Sequence, residues 1–193
     1  MIFDALKLIQ IALQSYIRDV EQPVDLNQDI VILDNISMAE ELGGARSGLN
    51  ERVVMSLINI QEEATLKNAA HYRTENGRII YHNPPVSLNL FILFSILHTD
   101  QYDTALKRLA RVIEFFQWKK ELSFTTIPSA SGVSRDVRVV PDLYSLTFDQ
   151  MNQLWGVLGG KQVPFVMYRA RLVTLDAQKT QAEGESITEQ VYR

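Results

Sequence analysis

The sequence predicts a domain of the α+β or α/β class, with amphipathic helices laid on a buried sheet. Three stretches carry that expectation. Val86–Leu97 is a nearly continuous apolar run opened by Pro84-Pro85. After the polar break His98–Gln101, apolar residues recur at Tyr102, Ala105, Leu106, Leu109, Val112, Ile113 and Phe116. That is a buried strand feeding a helix. The opening segment MIFDALKLIQIALQSYI places Ile2, Leu6, Ile9, Leu13, Tyr16, Ile17 and Val20 on one helical stripe.

The elements follow in order. Met1–Val20 reads as a helix, ended by Pro23 because the residue before proline disfavours helical backbone. Ile30–Leu33 is a short strand, and Ser37–Leu42 one helical turn stopped by Gly43-Gly44. Gly43–Asn50 is a small, polar loop. Arg52–Glu63 is a long strand: Val54, Ser56, Ile58 and Ile60 alternate with Val53, Met55, Leu57 and Asn59. Both faces are largely apolar, which suits an internal strand, and Gln61-Glu62-Glu63 should emerge into solvent. Residues 64–77 read as an exposed excursion. Asn76-Gly77 signals a hairpin, with Arg78–His82 returning. Proline lacks a ladder donor, so the next strand starts at or after Val86.

After the central helix, residues 119–136 read as loop-rich, with IPSASGVSRD holding the usual turn formers, and Val137–Tyr144 as a strand weakened by Pro141. Thr147 with Gln150 makes a capping box for a helix Thr147–Leu158, and Gly159-Gly160 stops it. Its apolar face is Phe148, Met151, Leu154, Trp155 and Leu158. In the last strand, Val163–Leu175, Val166, Tyr168, Ala170 and Leu172 face one way. Phe165, Met167, Arg169, Arg171 and Val173 face the other. Two arginines on one face suit an outer strand, or a sheet face that meets a partner. Residues 1–176 thus form one domain, and 177–193 a polar tail with little to fold it alone.

Composition narrows the function. The chain has 193 residues, enough to bury a core without staples. It has no cysteine, which excludes disulfides and thiolate chemistry and fits cytosolic synthesis. The formal net charge of −4 points away from a nucleic-acid partner, which needs lysine and arginine against phosphate. The basic strip Lys107–Arg111 reads as a solvated helix face. The N-terminal segment lacks a basic region and cleavage site, so it is not read as a signal peptide, and no apolar run reaches membrane-spanning length.

No catalytic motif emerges. His71, His82 and His98 share no metal spacing, and Thr99 or Asp100 is more simply a helix cap than a ligand. Glu62-Glu63 point to opposite faces of a strand and cannot act as an acid/base couple. Gly43, Gly44 and Gly48 lack phosphate-loop spacing. Catalytic, cofactor and metal residues are therefore assigned as none. The aromatic residues fall in core patterns, except that Trp118 beside Lys119-Lys120 is a candidate for a surface joint.

Several segments together resemble the tail-terminator, or cap, proteins of phage-tail-like contractile injection systems, as in the anti-feeding prophage and the Photorhabdus virulence cassette. The pieces are MIFDALKLIQIALQSYI, RVVMSLINIQEEATLKN, NPPVSLNLFILFSILHTDQYDTALKRLARVIEFFQ and LYSLTFDQMNQLWGVLGGKQVPFVMYRARLVTLD, in family order. Asn83-Pro84-Pro85 with Leu88-Asn89-Leu90, and Asn152-Gln153-Leu154-Trp155 with Leu158-Gly159, are the most specific. The resemblance implies an α+β fold: a mixed, mostly antiparallel sheet with about three helices. It implies a homo-oligomer, a hexameric ring on the distal end of the inner tube. Such a ring ends tube growth and anchors the last sheath ring within a phage-tail-like particle, with tube and sheath proteins as partners and no enzyme activity. Expected contact residues are Gly43, Gly44, Arg46, Gly48 and Asn50 in the first loop, Arg73 and Asn76 in the excursion, Trp118, Arg169, Arg171, and Ile187 and Val191 in the tail. The alternatives are a tube or baseplate adaptor ring of the same machine, or a small enzyme with an unfamiliar site.

Overall fold

Alternation and helical periodicity resolve into a six-stranded sheet with helices on both faces, plus a separate three-stranded sheet. The structure, a computed structural model, describes residues 2–21, 29–39, 52–63, 72–75, 78–82, 86–97, 102–126, 135–175 and 180–185. The helices are α1 (Ile2–Val20), α2 (Tyr102–Trp118) and α3 (Phe148–Val157). The strands are β1 (Val31–Leu33), β2 (Val53–Glu62), β3 (Tyr72–Glu75), β4 (Arg78–His82), β5 (Val86–Ile96), β6 (Leu122–Thr126), β7 (Arg135–Leu143), β8 (Phe165–Leu175) and β9 (Thr180–Glu185). A 3₁₀ turn spans Ile36–Ala39.

The large sheet runs β1-β2-β5-β8-β7-β6, and the small one β3-β4-β9. Among the described residues only the β1–β2 pair is parallel, and the α+β expectation holds. Helices α1 and α2 cover one face. From α1, Leu6, Ile9, Leu13 and Ile17 bury against the sheet; from α2, Ala105, Val112, Phe115 and Phe116. They meet Met55 of β2, Leu90, Ile92 and Phe94 of β5, and Tyr168, Ala170 and Leu172 of β8. Each such large apolar side chain contributes roughly 1.5–3 kcal/mol by leaving water. The α2 stripe is narrower than its spacing implies: Tyr102, Leu106 and Ile113 are exposed, and Phe115 takes the core position.

Tyr168 sits among these rings, 4.4 Å from Phe116 and 5.9 Å from Phe94 between centroids. Burial pushes its phenol up from 10 to about 12. The raised value means the neutral phenol favours folding below pH ~10, and this contribution is lost as pH rises through about 12. In an ultraviolet alkaline titration one of the seven tyrosines is expected to ionise late, or only as the fold opens. Uniform ionisation near the ordinary value with the fold intact contradicts the packing.

The other face carries α3 and the 3₁₀ turn over Val54, Leu93 and Met167, with Trp155 edge-on to Phe165 at 5.4 Å. The capping box forms as expected: Thr147 Oγ1 accepts from the Gln150 N–H at 3.3 Å, and Gln150 Oε1 accepts from the Thr147 N–H at 3.0 Å. Gly159 and Gly160 take φ of +116° and +87°, which only glycine adopts without strain, and Gly160 N–H returns to Trp155 O at 2.7 Å. Replacing Thr147 by alanine should cost ~1 kcal/mol by denaturant unfolding. No measurable change contradicts the cap. Phe148, expected on the buried face, is 82% exposed at the first position of α3.

Ser56, 2% exposed, ties the 3₁₀ turn to β2. Its hydroxyl accepts from Ile36 N–H at 3.0 Å and donates to Asp34 O at 2.6 Å.

Four expectations need correction. Residues 119–136 are not all loop: Leu122–Thr126 forms β6, paired antiparallel with β7. Pro141 does not weaken β7, because β6 pairing ends at Val139 and leaves that side of β7 open. β8 is an internal strand between β5 and β7, not an outer one. The polar segment after Asp176 contributes β9, ordered by pairing with β4 rather than by composition. The hairpin holds as expected, with Glu75 opposite Arg78 across Asn76-Gly77. The helix cap at His98–Gln101 and the residues beyond Ala39 in the expected turn lie outside the described residues. Among the described residues, no helix is long and apolar enough to cross a membrane.

Candidate functional site

A β-bulge decides what the half-open sheet face presents. The β2–β5 register skips at Ile58, between Leu57 opposite Ile92 and Asn59 opposite Phe91. Residues beyond it therefore change face. Asn59, Gln61 and Glu63 come to the α3 side instead of the helix-covered side. Strict alternation from Val53 misses this.

Among the described residues, α3 and the 3₁₀ turn cover the half of that face around Val54, Leu93 and Met167. On the other half, Arg169 stands opposite Phe91 and Asp142, and Arg171 opposite Asn89 and Val140. Arg169 Nη2 lies 3.6 Å from Asp142 Oδ2, and Arg171 Nε 4.0 Å from Glu63 Oε2. Asn89 donates to Glu63 Oε2 at 2.8 Å, and Glu63 N–H donates to Ser87 O at 2.8 Å. Glu63 is thereby held at 14% side-chain exposure, not released into solvent as its sequence position suggests. Tyr144 meets Phe91 edge-on at 5.2 Å and bounds the patch.

Two guanidinium groups face two carboxylates, so the patch is balanced in charge but poorly satisfied. Among the described residues Asn89 Oδ1, Arg169 Nε and Arg171 Nε are buried with no hydrogen-bond partner. A buried polar atom of this kind favours a partner that completes its hydrogen bonding. The arrangement suits directional docking of a polar surface. It lacks the convergent nucleophile and base that covalent chemistry needs. Among the described residues no group of three or more histidine, cysteine, aspartate or glutamate side chains is placed to hold a metal.

Of the sequence-expected contact residues, Arg169 and Arg171 fall together here. Trp118 lies on the helix-covered side, 67% exposed, stacked on Tyr16 at 5.9 Å with Lys119 Nζ 5.4 Å from its ring. It does not join the arginines. Arg73 is in β3, opposite Ile80. Gly43, Gly44, Arg46, Gly48, Asn50, Asn76, Ile187 and Val191 lie outside the described residues. Sequence reading missed Asn89, Glu63 and Asp142; the one available signal was Asn89 interrupting an apolar strand. The basic strip on α2 is neutralised: Lys107 pairs with Asp103 at 3.4 Å, Arg111 with Glu114 at 2.7 Å, and Arg108 with Glu21 at 3.6 Å.

The family profile described as the Pvc16 N-terminal domain matches residues 6–189. The chain belongs to the Pvc16 N-terminal domain family. The match passes through β9, beyond Asp176 where the sequence resemblance stops. Two solved structures share the fold of this Pvc16 N-terminal domain. One is a sheath/tube terminator of the extracellular contractile injection system PVC in the extended state. It has a TM-score of 0.63 and 17% identity, covering 100% of this chain and 62% of that one. The other is the tube-terminating cap of the anti-feeding prophage. It has a TM-score of 0.59 and 12% identity, covering 100% and 61%. The chain thus spans about three fifths of the length of either neighbour. No curated protein matches it.

Proposed function

We propose that this chain is the tube-capping domain of a contractile injection system. Copies close into a ring, six in number by resemblance, on the distal end of the inner tube. The ring ends tube growth and holds the terminal sheath ring. The observation that carries the reading is the Pvc16 N-terminal domain match over nearly the whole chain. The terminator and the cap that share its fold support it.

The physics fits the role. A tube grows because the top of each ring matches the bottom of the next, a heterologous contact that never closes along the axis. A terminator must match the tube on one side and offer nothing to a further tube ring on the other. The half-open face with Arg169, Arg171, Glu63 and Asn89 supplies directional groups for such a match. The loop Gly43–Asn50, the excursion with Arg73 and Asn76, and the tail with Ile187 and Val191 are assigned to further contacts with tube, sheath or neighbour. The role is architectural, not enzymatic, and its place is the assembled particle.

The test is polymerisation of the purified inner-tube subunit with and without the chain. Addition should shorten the tubes and place this protein at one end only. Unchanged lengths with no end labelling overturn the reading.

A further inference from the structure

Every open sheet carries two edges, and this protein treats its edges unequally. β1 ends the large sheet on one side. In a parallel pair, Ile30 O accepts from Val53 N–H, at 2.8 Å here, so the Val31 N–H and C=O point away from β2. Both are taken by side chains of α1: Gln10 Nε2 donates to Val31 O at 2.7 Å, and Gln14 Oε1 accepts from Val31 N–H at 3.3 Å. Gln14 is itself braced by donating to Asp29 Oδ1 at 3.1 Å. The β1 edge is sealed at Val31.

The opposite edge, β6, has no such seal. Among the described residues nothing pairs with its outer side. It is five residues long, contains no proline, and has the β-favouring sequence LSFTT. Isolated proteins blunt an edge of this kind; among the described residues a side-chain seal is present at β1 and not at β6. The small sheet has a matching edge in β9, six residues long and likewise last in its order. Lys119 and Lys120, both exposed, stand just before β6, and Glu183 and Glu185 close β9. Antiparallel pairing with Thr125 opposite Ala182 sets Glu185 opposite Leu122, two positions from Lys120.

We propose that the joint between copies is a strand pair, β6 of one protomer with β9 of the next, antiparallel. The contact joins two different surfaces and so propagates around a ring, as a self-complementary contact would not. The inference rests on the ring reading above and names its joint.

The chain has no cysteine, so engineered ones report cleanly. Thr125→Cys and Ala182→Cys are introduced together in the full-length chain, with each single variant as a control, and assembled with the inner-tube subunit before mild oxidation. A disulfide needs Cα atoms about 4.4–6.8 Å apart. The expected result is a ladder of covalent multimers from the double variant and a dimer from an equal mixture of the singles. Neither single alone should cross-link. Rings that form but cross-link only Thr125→Cys to itself, or not at all, overturn the β6–β9 joint and leave the ring standing. A cross-link within one chain, seen as an oxidised monomer of shifted mobility, also overturns it. Unmodified chain that stays monomeric with tube present overturns the ring, and the joint with it.

Discussion

Replacing Phe94 by alanine is expected to remove about 3–5 kcal/mol of folding stability. Phe94 is fully buried in the middle of β5, the strand flanked by β2 and β8 at the centre of the sheet. Its ring meets Phe116 of α2 at 5.4 Å and Tyr168 of β8 at 5.9 Å, and its backbone stands opposite Met55 and Val166. Alanine leaves a cavity that two strands and a helix would have to close together, and a regular ladder resists such movement. Domains carry about 5–15 kcal/mol in total, so the variant should lose a large share of its margin. For a chain of this size, the thermal midpoint should drop by roughly 6–20 °C. A loss below about 1 kcal/mol in denaturant unfolding would mean that the core is not centred where the fold puts it.

Reversing Arg169 and Arg171 to glutamate should give the opposite pattern: the fold kept and assembly lost. Both side chains are partly exposed and stand outside the apolar clusters. Reversal sets two new carboxylates beside Asp142 and Glu63. Any partner surface complementary to the present patch then meets like charge, which costs several kcal/mol across an interface. Tube capping should weaken at least a hundredfold, roughly 3 kcal/mol, while far-ultraviolet circular dichroism stays unchanged. Capping at wild-type strength by a folded double variant would remove this face from the contact.

Much of the fold was legible because its signals are local. The α1 stripe, the two-sided apolar run of β5, the Asn76-Gly77 hairpin and the Thr147–Gln150 box each specify their structure within a few residues. What escaped depends on partners distant in sequence. β9, TQAEGE, has no intrinsic reason to be a strand; β4 supplies its backbone partners. β6 is hidden because a short strand between lysines and a turn-rich stretch resembles loop. Phe148 left the expected face of α3 and Phe115 joined the buried stripe of α2, because helical spacing fixes a stripe's direction but not which part of it the sheet reaches.

The candidate site shows the same division. Arg169 and Arg171 on one face of a strand could be read from alternation alone. Their companions could not. One extra residue at Ile58 moves Asn59, Gln61 and Glu63 to the other face, and period-two counting has no means of registering it. Asn89 was visible as a polar residue in an apolar strand, but its role appears only when Glu63 arrives beside it at 2.8 Å.

Capping is the centre of the account, and the length distribution of tubes tests it most directly. Particles assembled without this chain and imaged by negative-stain microscopy should show tubes of uncontrolled length and unstable terminal sheath. Restoring the chain should return one narrow length and a ring at one end. Particles of normal length and intact sheath in its absence would contradict the account.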